Sequence, residues 1–367
     1  MKPPQFDFFP SRTLTIYLAK LFTVRVVAVL LMLVLVLQML DLLGESGKIL
    51  EYQGNGEGAL WTYVTLRAPQ LIARFLPYSV LLATIVTLAT LNQNSEVVIF
   101  KSAGISAHQI LAPLILVSLG FALVSLAFNE RVLVRANAAL DAWQAVDYAH
   151  VPPPSGTVTN VWVRNGDDLI HVDQVTGRGS ATRLGNATIY DRTGGALQAI
   201  IRGARGFPSG NGWELVQVRR FEVASGDETN LPRFRFGDGI GADRFTLAEV
   251  QPDEKSLIPL ANAIADLNAA GRPTANLQTA FWHKLSGPLS TVLMPLLGSV
   301  AAFGLARTGR LFIRTVIGMG LGFAYFVSDN VGVAMGNFGS YPPFLAAWSP
   351  FLLFLLIGEI VLIRTEE

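Results

Sequence analysis

Six stretches of this chain are each long and apolar enough to cross a bilayer, and nothing else in the sequence limits the fold so strongly. A hydrocarbon core of roughly 30 Å needs about 20 apolar helical residues. The stretches run from about Leu21 to Leu43, Leu71 to Leu91, Ile110 to Phe128, Leu285 to Leu305, Phe312 to Met335 and Phe344 to Ile363. Three lie on each side of a polar middle. Pro77, Pro288, Pro295 and Pro350 fall among them, and membrane helices tolerate proline because neighbouring groups re-satisfy the freed backbone. The first run is too long for the core of a signal peptide, and no small-x-small cleavage site follows Asp41.

Charge sets the expected orientation. The chain carries 28 Lys+Arg against 27 Asp+Glu, so its net charge names no partner, and no nucleic-acid ligand is expected. The position of each sign is more informative. Lys2, Arg12, Lys20 and Arg25 precede or enter the first span, while Glu45, Glu51 and Glu57 follow it against Lys48. Arg307, Arg310 and Arg314 lie between the fourth and fifth spans, and the Asn337–Pro342 loop is uncharged. Basic residues accumulate on the cytoplasmic side, which puts both termini inside a multi-pass inner-membrane protein. Three parts follow: residues 1–128 with the first three spans, an extracytoplasmic block at 129–281, and residues 282–367 with the last three.

The middle block reads as strands and tight turns. Val161–Arg164, then Asn165-Gly166-Asp167-Asp168, then Leu169–Val172 is strand, turn, strand. Turn residues recur at Asp191–Gly195 and Ser209–Gly212, between strand-like runs at Ala187–Tyr190, Leu197–Arg202 and Trp213–Val223. This spacing predicts a sandwich, jelly roll or open β-structure. Asn129–His150 is expected to continue the third helix as a stalk ending before Pro152-Pro153-Pro154, and Ser256–Asn268 has helical spacing.

Much chemistry is excluded. There is no cysteine, hence no disulfide or thiolate site. No P-loop, His-Glu-x-x-His or Gly-x-Ser-x-Gly occurs, and the glycines near Gly177–Gly179 and Gly237–Gly241 read as turns. His108, His150, His171 and His283 lack ligand spacing, so no metal and no cofactor is expected. Two acids draw notice, Asp41 at the end of the first span and Asp329 within the fifth, because intramembrane charge is costly and tends to mark function. Asp41 also sits close enough to the interface to be simply solvated. Gln38 shares its helical face. The two aspartates have no protease motif around them.

Two further features concern partners. Ser95 to Gly104 reads as a short amphipathic helix over residues 93–105, with Val97, Val98 and Phe100 apolar and Glu96 and Lys101 polar. Such a helix can dock in a groove of a soluble motor domain, although on pattern alone a plain connector is the simpler reading. Gly318 and Gly322, then Gly332 and Gly336, are spaced four apart and permit close helix approach, within the chain or against a partner.

In ordered combination, Leu91–Ser106, Trp162–Val172, Phe281–Pro288 and Gly318–Gly332 make the chain resemble the permease subunits of the lipopolysaccharide-export ABC transporter, the G type more than the F type. That resemblance implies six membrane helices in a 3+3 arrangement around an inserted periplasmic β-jellyroll domain, and a permease without catalytic residues. It implies an LptF-type sister permease, an LptB-type ATPase dimer, an LptC-type single-span protein and an LptA-type jellyroll bridge as partners, with lipopolysaccharide as cargo. Carried over, Glu96 is the main ATPase contact, with Val97, Phe100 and Gly104 shaping its helix. Asp41 and Asp329 fall on polar positions flanking the lipid gate. One departure concerns lipid phosphates. Where relatives place lysines, this chain has Gln38, Asp41, Gly44 and Glu45, which leaves Lys48, Arg67 and Arg74 to take that contact, or a lipid of different charge.

Overall fold

A computed structural model describes residues 9–151, 157–177, 181–192, 195–246, 251–269, 272–299 and 311–366. The N-terminal Lys2, the Pro152–Pro154 stop, Gly179, the end of the fourth span and the basic Arg307 and Arg310 lie outside the described residues. The chain divides into two compact units, one of Met1–Val151, Pro252–Ile264 and Thr274–Glu367, the other of Pro152–Gln251 and Ala265–Pro273.

The first unit is helical: α1 (Arg12–Glu51), α2 (Glu57–Gln93), α3 (Glu96–Ser102), α4 (Ala107–Phe128), α5 (Val134–Gln144), α8 (Ala275–Ser299), α9 (Leu311–Asn337) and α10 (Pro343–Glu366). One π-helical turn, Asn129–Leu133, joins α4 to α5 as a continuous stalk. Among the described residues five helical stretches are long and apolar enough to cross a membrane: Arg12–Glu51, Glu57–Gln93, Ala107–Gln144, Val316–Asn337 and Pro343–Arg364. The described part of the expected fourth span lies in α8, where thirteen residues are buried. Pro69 and Pro77 sit inside α2, Pro288 and Pro295 inside α8, and Pro350 inside α10, without ending any of them.

The helices pack around a large apolar core that includes Phe22, Leu88, Leu111, Leu297, Tyr325 and Phe354, and around a smaller cluster of Ile49, Tyr63, Leu140 and Tyr148. Large apolar residues that remain exposed, among them Leu31, Leu35, Met39, Phe323 and Val331, lie on α1 and α9. In water such a surface would be a liability; in lipid it is the ordinary outer face of a span. Among the four spaced glycines, Gly322 lies against the Leu81 side chain of α2, which a Cβ would have to displace, and a Cβ on Gly336 would come within 2.6 Å of Ala346 and Thr279. Gly332 similarly lies against the Ala346 carbonyl, 2.7 Å from where its Cβ would be. Three of the four thus serve packing within the chain. Gly318 is buried as well.

The second unit holds six strands: β1 (Thr157–Asn165), β2 (Asp168–Thr176), β3 (Arg183–Asp191), β4 (Ala199–Ser209), β5 (Gly212–Glu222) and β6 (Glu228–Phe236). They form one antiparallel sheet in sequence order, a meander without crossovers. The turns at Gly166 (φ +60°) and Gly210 (φ +61°) fall where the sequence places them. β6 lies where the sequence predicts no strand. One face carries the core, from Val161 and Val163 through Val172, Ile189 and Leu215 to Ile240 and Phe245. Two further helices among the described residues are α6 (Asp243–Thr246), in this unit, and α7 (Leu257–Ala269), which begins in the first.

A crease crosses the sheet. Between neighbouring strands the pairing skips Asn160, Asp173, Asn186, Ala204, Gln217 and Pro232 in turn. Asn160, Asn186 and Gln217 have φ of +56°, +49° and +56°. Buried positions advance by three rather than two across this line, from Val172 to Val175, Leu184 to Ala187 and Leu215 to Val218. Each strand slips phase at the same level, so the apolar residues on both sides of the crease face the same core. A strictly period-two sequence would have turned half of them outward.

Candidate functional site

The short helix α3 is fixed at its end by backbone chemistry. Ile105 N–H donates to the Phe100 carbonyl and Gly104 N–H to the Lys101 carbonyl, both at 3.0 Å, which is a Schellman termination with Gly104 at φ +81°. Ser95 occupies the N-cap position in a left-handed conformation and makes no side-chain cap. Ser106 does cap, starting α4 with a capping box to Gln109. Val97 is buried in the membrane-unit core, with Phe100 and Ile105 packed against it.

Val98 and Ile99 face outward, 55% and 59% exposed, beside the exposed Lys101 and Ser102. Val97 and Phe100 therefore root α3 in the bundle, and its presented face is Val98 and Ile99. Glu96 accepts a hydrogen bond from the Tyr17 hydroxyl of α1 at 3.1 Å. That link spans 79 residues and leaves no local signature.

At the C-terminal half of α1, Asp41 is held by α2. Arg67 donates from Nε to Asp41 Oδ2 at 2.9 Å and from Nη2 to Oδ1 at 3.1 Å, and Tyr63 donates to Oδ2 at 2.6 Å. The fork match gives this ion pair directional strength. The same guanidinium reaches Gln70. Gln70 Nε2 donates to Asn137 Oδ1 at 2.9 Å, and Asn137 donates on to the Asp253 carbonyl at 3.1 Å. A polar relay thus ties α1, α2 and the α5 stalk to the turn at Pro252–Glu254.

Nearby, Tyr148 donates to Glu45 at 2.8 Å, and Lys48 bonds the same carboxylate at 3.0 Å. Burial raises the Tyr148 phenol above its ordinary pKa; a hydrogen bond from Gln144 opposes this and the Glu45 contact adds to it. Burial also raises the Glu254 carboxyl, with the Asp141 charge in support.

The other sequence candidates fall as follows. Gln38 is buried, and neither of its amide atoms has a partner among the described residues. Lys48 is exposed and paired only with its helical neighbour Glu45 among the described residues. Arg74 is exposed. Asp329 faces His283 of α8, with Nε2 and Oδ2 at 3.0 Å. Tyr78 stacks on Phe326 one turn away, centroids 3.7 Å apart. His283 has no ligand spacing in the sequence; its partner is 46 residues away and only the fold brings them together. No group of His, Asp and Glu capable of holding a metal occurs among the described residues.

Comparison with known proteins places this arrangement. Residues 16–364 match the family described as lipopolysaccharide export system permease LptF/LptG. The lipopolysaccharide export system permease protein LptG of Escherichia coli (strain K12) is 24% identical over 364 residues, covering 97% of this chain and 99% of that protein. The protein of the same description from Haemophilus influenzae (strain ATCC 51907 / DSM 11121 / KW20 / Rd) is 23% identical over 326 residues, covering 86% and 89%. The chain belongs to the LptF/LptG family of lipopolysaccharide export permeases and is of the LptG type.

Proposed function

We propose that this chain is the G-type permease subunit of an ATP-driven exporter that lifts lipopolysaccharide out of the inner membrane. It works beside an F-type sister permease on a B-type ATPase dimer, and passes lipid toward a C-type single-span protein and an A-type periplasmic bridge. Both termini and α3 lie in the cytoplasm and the β-sheet unit in the periplasm, a reading supported by the Arg and Lys positions around the spans.

The observation that carries the proposal is the construction of α3. A seven-residue helix rooted by Val97 and Phe100 and presenting Val98 and Ile99 is a rigid plug for a motor domain. No nucleotide motif occurs in the chain, so work must enter through such an element. Glu96 is the coupling residue: through Tyr17 it is joined to α1, so displacement of α3 by the ATPase is felt at the helix that flanks the lipid path. ATP-bound and free states then favour different arrangements of that path, which is coupling between two sites.

Along the lipid path, Lys48 and Arg74 offer exposed positive charge to phosphates, while Arg67 meets the lipid already neutralised by Asp41. Gln38 on α1 and the pair of Asp329 on α9 with His283 on α8 add further polar points. The outer strands β1 and β6 each have one neighbour in the sheet and so offer backbone groups for strand addition by a jellyroll partner.

The test is a pull-down of the chain co-expressed with its sister permease and the ATPase, wild type against Glu96→Ala. The wild type is expected to retain the ATPase and Glu96→Ala to lose most of it while remaining membrane-inserted. A wild-type chain that retains no ATPase sinks the transporter reading and leaves a membrane-anchored envelope scaffold in its place.

A further inference from the structure

The sheet unit carries a cavity that the permease reading does not use. Along β1, Val161 and Val163 point into the core, so Trp162 and Arg164 stand on the opposite face. Trp162 is 51% exposed. One side of its indole is occupied by His171, ring centroids 4.4 Å apart, with Tyr190 beyond at 6.0 Å. Beside Trp162 opens a cavity of about 450 Å³ whose wall includes Arg164, Gly166, Arg244 and Arg272. That volume lies in the range of small-molecule sites.

The wall is built rather than incidental. Phe245 is fully buried and packs edge-on against Trp213 at 4.9 Å. This pins the single turn α6 and delivers Arg244 to the cavity. The Arg244 Nε is buried and has no hydrogen-bond partner among the described residues. A donor buried without an acceptor is costly, and a ligand oxygen would relieve it. Arg164 is steadied by its own turn, Nε donating to the Gly166 carbonyl at 2.8 Å, with Asp167 at 3.8 Å offsetting part of its charge.

Guanidinium forks match phosphate and carboxylate oxygens. Among the described residues Trp162 is the one aromatic residue of the wall, with no second ring there to sandwich a nucleobase. A single indole suits the apolar C–H face of a sugar ring. We propose that this cavity binds a sugar ring bearing a phosphate or carboxylate, the anion held by Arg244 and Arg272 and the ring packed on Trp162. The inference goes beyond the permease reading, since such binding needs neither ATP nor a sister subunit.

The experiment uses the purified full-length chain in detergent, titrated with glucosamine 6-phosphate and with galacturonate. Tryptophan fluorescence is the readout, and Trp162→Phe identifies the signal. Saturable binding is expected, weakened about tenfold or more in Arg244→Gln by loss of charge-assisted bonds, with Arg244→Lys between the two. Should Arg244→Gln lower the melting temperature, Arg164→Gln on the outward face of β1 carries the same test.

Absence of saturation by either acidic sugar, or wild-type affinity in the Gln variants, overturns the site. Equal affinity for glucosamine, inorganic phosphate or AMP overturns the acidic-sugar assignment. Displacement of the bound sugar by lipopolysaccharide-containing vesicles, and not by vesicles of phospholipid alone, assigns the ring to a lipid headgroup. Binding of the free sugar without such displacement supports the site with a soluble ligand instead.

Discussion

Asp41 of α1 and Arg67 of α2 meet in a two-pronged ion pair at 2.9 and 3.1 Å, both side chains about three-quarters shielded from solvent. Removing either partner strands the other. Asp41→Ala and Arg67→Ala are each expected to destabilise the detergent-solubilised protein by about 1–3 kcal/mol. The double variant should lose clearly less than the sum of the singles. Thermal unfolding of all four proteins measures this, and strict additivity would mean the pair contributes nothing.

The two faces of α3 should separate fold from docking. Val97→Asp buries a charge in the bundle core and is expected to reduce membrane-inserted protein severely. Val98→Asp and Ile99→Asp are expected to leave abundance and melting temperature near wild type and to cut ATPase retention in the same pull-down. Equal loss of protein in all three would place Val98 and Ile99 in a structural role.

Gly320 and Gly322 sit two residues apart on α9 with opposite expectations. Nothing lies within 4 Å of a Cβ at Gly320, whereas at Gly322 it meets Leu81. Gly320→Ala is expected to stabilise by up to about 1 kcal/mol through helix propensity. Gly322→Ala is expected to destabilise by about 1–3 kcal/mol through overpacking. Melting temperatures of the two variants provide the check.

The crease makes its own prediction. Gln217 holds φ +56° in mid-strand, a conformation that suits glycine or asparagine. Gln217→Gly is expected to raise stability by roughly 1 kcal/mol and Gln217→Val to lower it by at least as much. Denaturant unfolding followed by far-UV signal tests both; a stable Val variant would mean the crease is not held by that backbone angle.

Glu254 gives a pH dependence. Its pKa is raised in the folded protein, by burial first and then by Asp141. The folded state therefore favours its protonated form, so the associated stability is present below the unfolded pKa and is lost as pH rises through the folded one. Glu254→Gln should match wild type near pH 4 and melt slightly higher near pH 8. The gain is small because the side chain is partly solvated.

What could be read from residues alone follows physical range. Five of the six span positions, the Asn165–Asp168 turn and the stop at Gly104 are local and were legible. β6 was not, because Glu228–Phe236 opens on three polar residues, carries Pro232 and has no fully buried position. The crease was hidden because its phase slip looks like broken periodicity in any one strand and becomes a pattern only when six strands are aligned. The partners of Asp41, Glu96 and Asp329 lie 26, 79 and 46 residues away, at separations no spacing rule covers. Val97 and Val98 are chemically identical neighbours, and only the packed bundle decides which one faces out.

The strand order also bears on how the sheet comes into being. Every strand pairs with the one made immediately before it, so each hairpin can close as soon as its second arm leaves the ribosome or the membrane channel. No segment has to wait, exposed, for a distant mate still to be synthesised. Low sequence separation of this kind shortens the search for native contacts and keeps unpaired apolar strands scarce while the flanking spans are still being inserted.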